Sequence, residues 1–163
     1  MRKTIIGVMG PGDGATAEDL AVAKELGRLI AEKGWVLLTG GRSVGVMEAA
    51  SKGAKESGGL TIGILPFKEF DAAKTSAFID IPIMTGMGEA RNAINVLSSQ
   101  VVLACGMGSG TASEVALALK ANRPVVLVAP DERAAEFFSS LGDPIRTAQD
   151  AAQAVEIVKE LLR

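Results

Sequence analysis

The chain has 163 residues, 48% of them hydrophobic and 22% charged, with a formal net charge of −2 and no histidine. That length suits one domain, residues 1–163, with a sizeable core, and the composition excludes a disordered chain. A weakly acidic chain without a Lys/Arg cluster argues against nucleic acid or an anionic membrane surface as a partner, and the lack of histidine rules out a Ser-His-Asp triad.

Short apolar runs alternate with helical patterns. Residues 4–9 form the first expected strand, and the loop Gly10-Pro11-Gly12-Asp13-Gly14 follows it. Residues 17–33 read as a helix, with Leu20, Ala23, Gly27 and Ile30 at helical spacing and a capping box of Thr16 and Asp19. The second strand, 35–39, begins at Trp35, a core or edge anchor, and runs into Gly40-Gly41-Arg42-Ser43-Val44-Gly45. A helix over 46–57 carries small residues, Ala49, Ala50, Gly53 and Ala54, that imply close packing. Strands are expected at 60–65 and 78–83, and the patternless stretch 66–77 between them reads as a loop free to move. After Thr85-Gly86-Met87-Gly88 come a helix at 89–99, a strand at 100–104 and the loop from Gly106 to Thr111. Helix 112–122, strand 125–128, a short helix over 131–140 and a closing helix over 148–162 complete the chain.

The strands read as continuous apolar runs, as expected when both faces are covered. Alternating strand and helix units of this kind form an α/β, doubly wound, mostly parallel Rossmann-like sheet with helices on both faces. In such sheets ligands bind at the carboxyl ends of the strands, where all four glycine-rich loops fall. A strand, a glycine turn and a helix start in that order make an anion cradle, with free N–H groups and the helix dipole at its mouth. The expected ligand therefore carries a phosphate.

Familiar phosphate motifs do not match. The first loop is G-x-G-x-G where a dinucleotide fold has G-x-G-x-x-G, and the second strand ends without the carboxylate that anchors a ribose, which excludes NAD. No Gly-Lys-Ser/Thr tripeptide occurs, so an ordinary P-loop is excluded too.

Three segments resemble the Lonely-guy and molybdenum-cofactor-carrier superfamily of SLOG-type Rossmann-like proteins. They run from Thr39 to Pro66, over Met87-Gly88-Glu89-Ala90-Arg91-Asn92, and over Gly108-Ser109-Gly110-Thr111-Ala112-Ser113-Glu114. Enzymes of the Lonely-guy branch carry P-G-G-x-G-T-x-x-E and an Arg-Lys pair. Here Gly106 and Met107 stand at the Pro-Gly positions and Asn92 at the lysine, while Gly110, Thr111, Glu114 and Arg91 are kept. The looser glycine loop, with Thr39-Gly40-Gly41-Arg42 in the second loop, looks more like the molybdenum-cofactor carriers.

That resemblance implies a non-catalytic carrier of the molybdenum cofactor, whose molybdopterin ends in a phosphate. Its binding set would be Gly10 and Gly12; Gly40, Gly41, Arg42 and Gly45; Met87, Arg91 and Asn92; and Gly106, Met107, Gly108, Ser109, Gly110, Thr111 and Glu114. No protein-ligated metal is expected. The alternative is a phosphoribohydrolase that cleaves the N-glycosidic bond of AMP-like or cytokinin nucleotides, with Glu114 and Arg91 as its catalytic residues. A nucleotide sensor without turnover is a third reading. The resemblance also implies a homo-oligomer, dimer or tetramer. The single cysteine and the lack of a signal or transmembrane run point to the cytoplasm.

Plainer readings accompany several of these residues. Thr111 and Glu114 also fit a capping box worth about 1 kcal/mol. Arg91 at a helix start also reads as a surface arginine, although a cation there makes more sense beside a phosphate, and Arg42 is equally at home in solvent. Cys105 reads first as a small buried residue, Met87 and Met107 as gap fillers, and Asp13 as a turn former.

Overall fold

The computed structural model describes residues 2–142 and 145–163. Among them, one sheet of seven parallel strands carries helices on both faces. The strands are β1 (Ile5–Met9), β2 (Val36–Thr39), β3 (Thr61–Leu65), β4 (Ile81–Met84), β5 (Val101–Cys105), β6 (Val125–Val128) and β7 (Ile145–Ala148). Their order is β4-β3-β2-β1-β5-β6-β7. The helices are α1 (Ala17–Glu32), α2 (Gly45–Glu56), α3 (Asn92–Ser98), α4 (Ser109–Lys120), α5 (Glu132–Ser140) and α6 (Ala151–Leu161).

Strand periodicity sorts the core into two layers. Val101, Leu103 and Cys105 of β5 face the layer of α1, α2 and α6, and Val102 and Ala104 face α3 and α4. Since β5 is buried on both sides, all five of its residues are apolar, as a central parallel strand requires. α1 starts where the capping box predicts: Thr16 Oγ1 accepts from Asp19 N at 3.1 Å, and Asp19 Oδ2 accepts from Thr16 N at 2.9 Å. α1 and α2 touch through glycine. A Cβ on Gly27 would stand 2.0 Å from the Ala50 carbonyl oxygen, and one on Gly53 would stand 1.9 Å from that of Lys24.

The edges depart from the sequence reading. β4 lies at 81–84 instead of 78–83, and Ile81 and Ile83 are each 42% exposed, because an edge strand without a covering helix keeps one side open. β7 was not expected at all. Its Ile145-Arg146-Thr147-Ala148 has no apolar run to announce it, and the closing helix begins after it, with Asp150 as its cap. The stretch at 66–77 is tied down at its end. Ser76 N donates to Gly41 O at 2.9 Å, Ser43 N donates to Lys74 O at 3.0 Å, and Thr75 and Ser76 are buried.

Candidate functional site

After β1 the chain winds outward through β2 and β3 to β4, then crosses back to add β5 on the other side of β1. The loops leaving β1 and β5 therefore diverge, and a crevice opens between them at the carboxyl edge. A cleft of about 410 Å³ occupies that position. The first loop lines it through Gly10, Pro11, Gly12 and Gly14, the β5–α4 loop through Met107 and Gly108, and the first turn of α4 through Ser109 and Gly110. Arg42, Met47, Glu89, Arg91, Asn92, Thr111 and Glu114 complete the wall.

α4 points its N-terminus into this cleft. It starts at Ser109, three residues earlier than expected, and its N-cap is Gly108, which offers no side chain to the first-turn amides. This corrects the capping-box reading. Thr111 lies inside the first turn, its hydroxyl is buried, and that oxygen has no hydrogen-bond partner. An uncapped helix end with free N–H groups is an anion site.

Arg91 closes a short 3₁₀ turn, Gly88–Arg91, that precedes α3, so the single helix expected at 89–99 is two elements. The side chain is not a surface arginine, since the residue is only 5% exposed. Its Nη1 donates to Asn92 Oδ1 at 2.5 Å, and its Nη2 makes a long contact of 3.5 Å with Gly40 O. Its Nε has no partner. Burial pulls the guanidinium below its usual range, and the charge of Glu114 opposes that shift. A buried cation with an unused donor is costly unless an anion completes it. Asn92 is anchored in turn, its Nδ2 donating to Ser113 Oγ at 3.0 Å.

Glu114 faces the same cleft from α4 and is 7% exposed. Burial pushes its carboxyl up to about 7, against the opposing effects of the Asn95 hydrogen bond and the Arg91 charge. Asn95 Nδ2 donates to Glu114 Oε1 at 2.9 Å. The cleft therefore pairs an incompletely satisfied cation with a carboxyl that is half protonated near neutrality.

Five of the residues read from sequence as ligand contacts stand away from the cleft lining: Gly40, Gly41, Gly45, Met87 and Gly106. Gly40 supports Arg91, because a Cβ there would lie 2.8 Å from Nη2. Gly45, at φ +59°, lets α2 start against the first loop, where Val46 N donates to Pro11 O at 3.0 Å. Gly41 donates its N–H to Thr39 Oγ1 at 3.1 Å. Met87 is 50% exposed, and Gly106 lines a second, smaller cavity instead. Pro11, Gly14, Met47 and Glu89 line the cleft without having been expected there, and Asn95 behind Glu114 was missed as well. Asn95 lies three residues beyond Asn92 on α3, a helical spacing of polar residues that does carry a signal.

Cys105 is inert. Burial pushes its thiol up to about 12, and its Sγ contacts the Asp19 carbonyl at 3.3 Å. Trp35 packs at the margin of the core, and Asp13 is exposed. Among the described residues, no group of three His, Cys, Asp or Glu side chains is disposed to hold a metal ion, and no helix is long and apolar enough to cross a membrane.

Residues 3–158 match the model of the SLOG cluster4 family. The molybdenum cofactor binding protein of the phototrophic bacterium Rippkaea orientalis has 55% sequence identity and a TM-score of 0.96, covering 100% of this chain and 99% of its own. The molybdenum cofactor carrier protein of Chlamydomonas reinhardtii has 55% identity and a TM-score of 0.93, covering 99% of both chains. A cytokinin riboside 5′-monophosphate phosphoribohydrolase of Mycobacterium tuberculosis is 44% identical over 50 residues, 31% of this chain and 27% of that enzyme.

Proposed function

This chain belongs to the SLOG cluster4 family, and we propose that it is a molybdenum cofactor carrier or storage protein acting as one domain over residues 1–163. The observation that carries this reading is Arg91: a buried guanidinium with an unpartnered Nε, set beside the uncapped start of α4. Molybdopterin ends in a phosphate, and these groups fit one. The N–H groups of Ser109, Gly110 and Thr111, the Thr111 hydroxyl and Arg91 would take that phosphate, with Arg42 adding charge from the second loop. Glu114 and Asn92 would take neighbouring donors and acceptors. Identity of 55% over the full chain to two proteins that carry or bind this cofactor supports the reading.

The test is retention. Molybdenum cofactor released from a molybdoenzyme is incubated with the purified protein, and bound cofactor is counted by its ability to restore a cofactor-free enzyme. Saturable binding and slower oxidative loss are expected. A titration without saturation removes the proposal.

One observation favours the phosphoribohydrolase as a second reading. Glu114 near neutrality beside Arg91 is the pairing an N-glycosidic acid catalyst needs, and Gly110-Thr111-x-x-Glu114 is shared with that branch. Incubation with AMP and a cytokinin nucleotide, with Glu114→Gln as control, decides it by release of free base. A homo-oligomer in the cytoplasm, dimer or tetramer, belongs to the same proposal and is checked by light scattering and fractionation.

A further inference from the structure

We propose that the smaller cavity beside the cleft is a second subsite that takes a flat 2-amino-4-oxo heterocycle, the ring system of a pterin. This rests on the carrier reading and deepens it, by assigning the two ends of one ligand to two separate compartments.

The second cavity, about 240 Å³, lies at the carboxyl ends of β5 and β6. It shares Gly14 and Met107 with the larger cleft, so the two open side by side across the switch in strand order. Their chemistry is opposite. The cleft carries Arg42 and Arg91, whereas the side cavity is lined by no basic residue. Leu127, Pro130 and Ala134 supply apolar wall, Thr16 a hydroxyl, and its charged groups are the carboxylates of Asp19 and Asp131.

Each carboxylate uses one oxygen locally. Asp131 Oδ1 accepts from Ala134 N at 2.7 Å, and Asp19 Oδ2 accepts from Thr16 N at 2.9 Å. The second oxygen of each has no hydrogen-bond donor among the described residues. A rim whose only charges are two carboxylates repels an anion and favours a neutral ring rich in N–H donors. A 2-amino-4-oxo ring presents an amino group beside a ring N–H, two parallel donors that match one carboxylate. Adenine presents an amino group beside an acceptor nitrogen, and the match fails. Ala129 on the cavity wall holds φ at +46°, where glycine would be less strained, and its amide is tied to Ala148 O at 2.8 Å.

The experiment titrates the full-length protein with four probes: 6-hydroxymethylpterin, followed by its fluorescence, and inorganic phosphate, GMP and AMP, followed by calorimetry. Two variants block the side cavity. Asp131→Asn keeps the helix cap and converts the acceptor to an amide, and Ala134→Leu fills the space. The pterin is expected to bind saturably, to weaken about tenfold or more in both variants, and GMP to bind more tightly than AMP. Phosphate binding should be unchanged in both variants and weakened roughly 10- to 100-fold in Arg91→Met. Pterin binding that ignores both variants, or that is absent while molybdenum cofactor still binds, overturns the subsite and leaves the carrier reading standing. Pterin binding that responds to the variants in a protein that does not retain molybdenum cofactor supports the subsite and removes the carrier.

Discussion

Asn95 donates to Glu114 across 2.9 Å from a side chain with no solvent exposure, and Glu114 faces Arg91 across the same cleft. This contact joins α3 to α4 and fixes the direction of the carboxyl. It offsets part of the cost of burial, yet burial wins, and the carboxyl sits at about 7 in the folded protein against an ordinary 4.5. The folded state therefore holds this proton more tightly than the unfolded chain does. The favourable contribution of Glu114 is complete below about pH 4.5 and drains away as the pH rises to about 7, for a loss on the order of 3 kcal/mol.

Thermal midpoints measured across that window should fall in the wild type. In Glu114→Gln, which does not titrate, this component should vanish, and the variant should be the more stable protein above about pH 8. An equal pH dependence in both proteins contradicts the buried, proton-bearing carboxyl.

The same titration reaches the ligand. Below its pKa Glu114 is neutral and Arg91 faces an incoming phosphate without competition, and above it a second negative charge shares the site. Inorganic phosphate should bind more weakly on the alkaline side, and Glu114→Gln should flatten the profile after correction for the ionisation of phosphate itself. Calorimetry at several pH values checks this.

Arg91→Met should move stability and affinity in opposite directions. Removing a buried, underpaired charge raises the midpoint of the ligand-free protein, while losing its donors lowers phosphate affinity by roughly 10- to 100-fold. A variant less stable than wild type that still binds phosphate normally would assign Arg91 a structural role only.

Thr111→Val separates cap from ligand contact. The two side chains are nearly isosteric, and the hydroxyl removed is buried without a partner. The ligand-free protein should gain on the order of 1 kcal/mol, where loss of a capping hydroxyl would cost a similar amount. Chemical denaturation with and without phosphate reads both effects.

Gly27→Ala tests the packing beneath the first loop. The substitution favours an isolated helix by about 1 kcal/mol, but the new methyl meets a backbone oxygen at 2.0 Å that cannot rotate away. Overpacking wins, with a net loss on the order of 1–2 kcal/mol.

The central elements were legible because burial on both faces demands an unbroken apolar run, and β1, β2, β3, β5 and β6 all have one. β7 was not, because an edge strand is specified by its neighbour more than by its own residues. The start of α4 was misjudged for a related reason. Gly108-Ser109-Gly110 is poor helix sequence, yet the helix extends through it, with Ser113 Oγ donating to Gly110 O at 2.7 Å and accepting from Asn92 Nδ2 of α3 at 3.0 Å.

Taken by itself, the amino-acid order determined the doubly wound sheet and the edge on which the glycine loops gather, since these follow from periodicity, while the candidacy of Arg91, Thr111 and Glu114 rested on local motifs together with the family resemblance. Tertiary structure alone decided that Arg91 is buried with a donor left over, that burial raises the Glu114 carboxyl toward neutrality, and that Gly40 and Gly45 support the cleft from behind instead of lining it. Desolvation is the physical reason. It depends on which distant segments cover a side chain, and Asn95 and Gly40 reach Glu114 and Arg91 only after the sheet has folded.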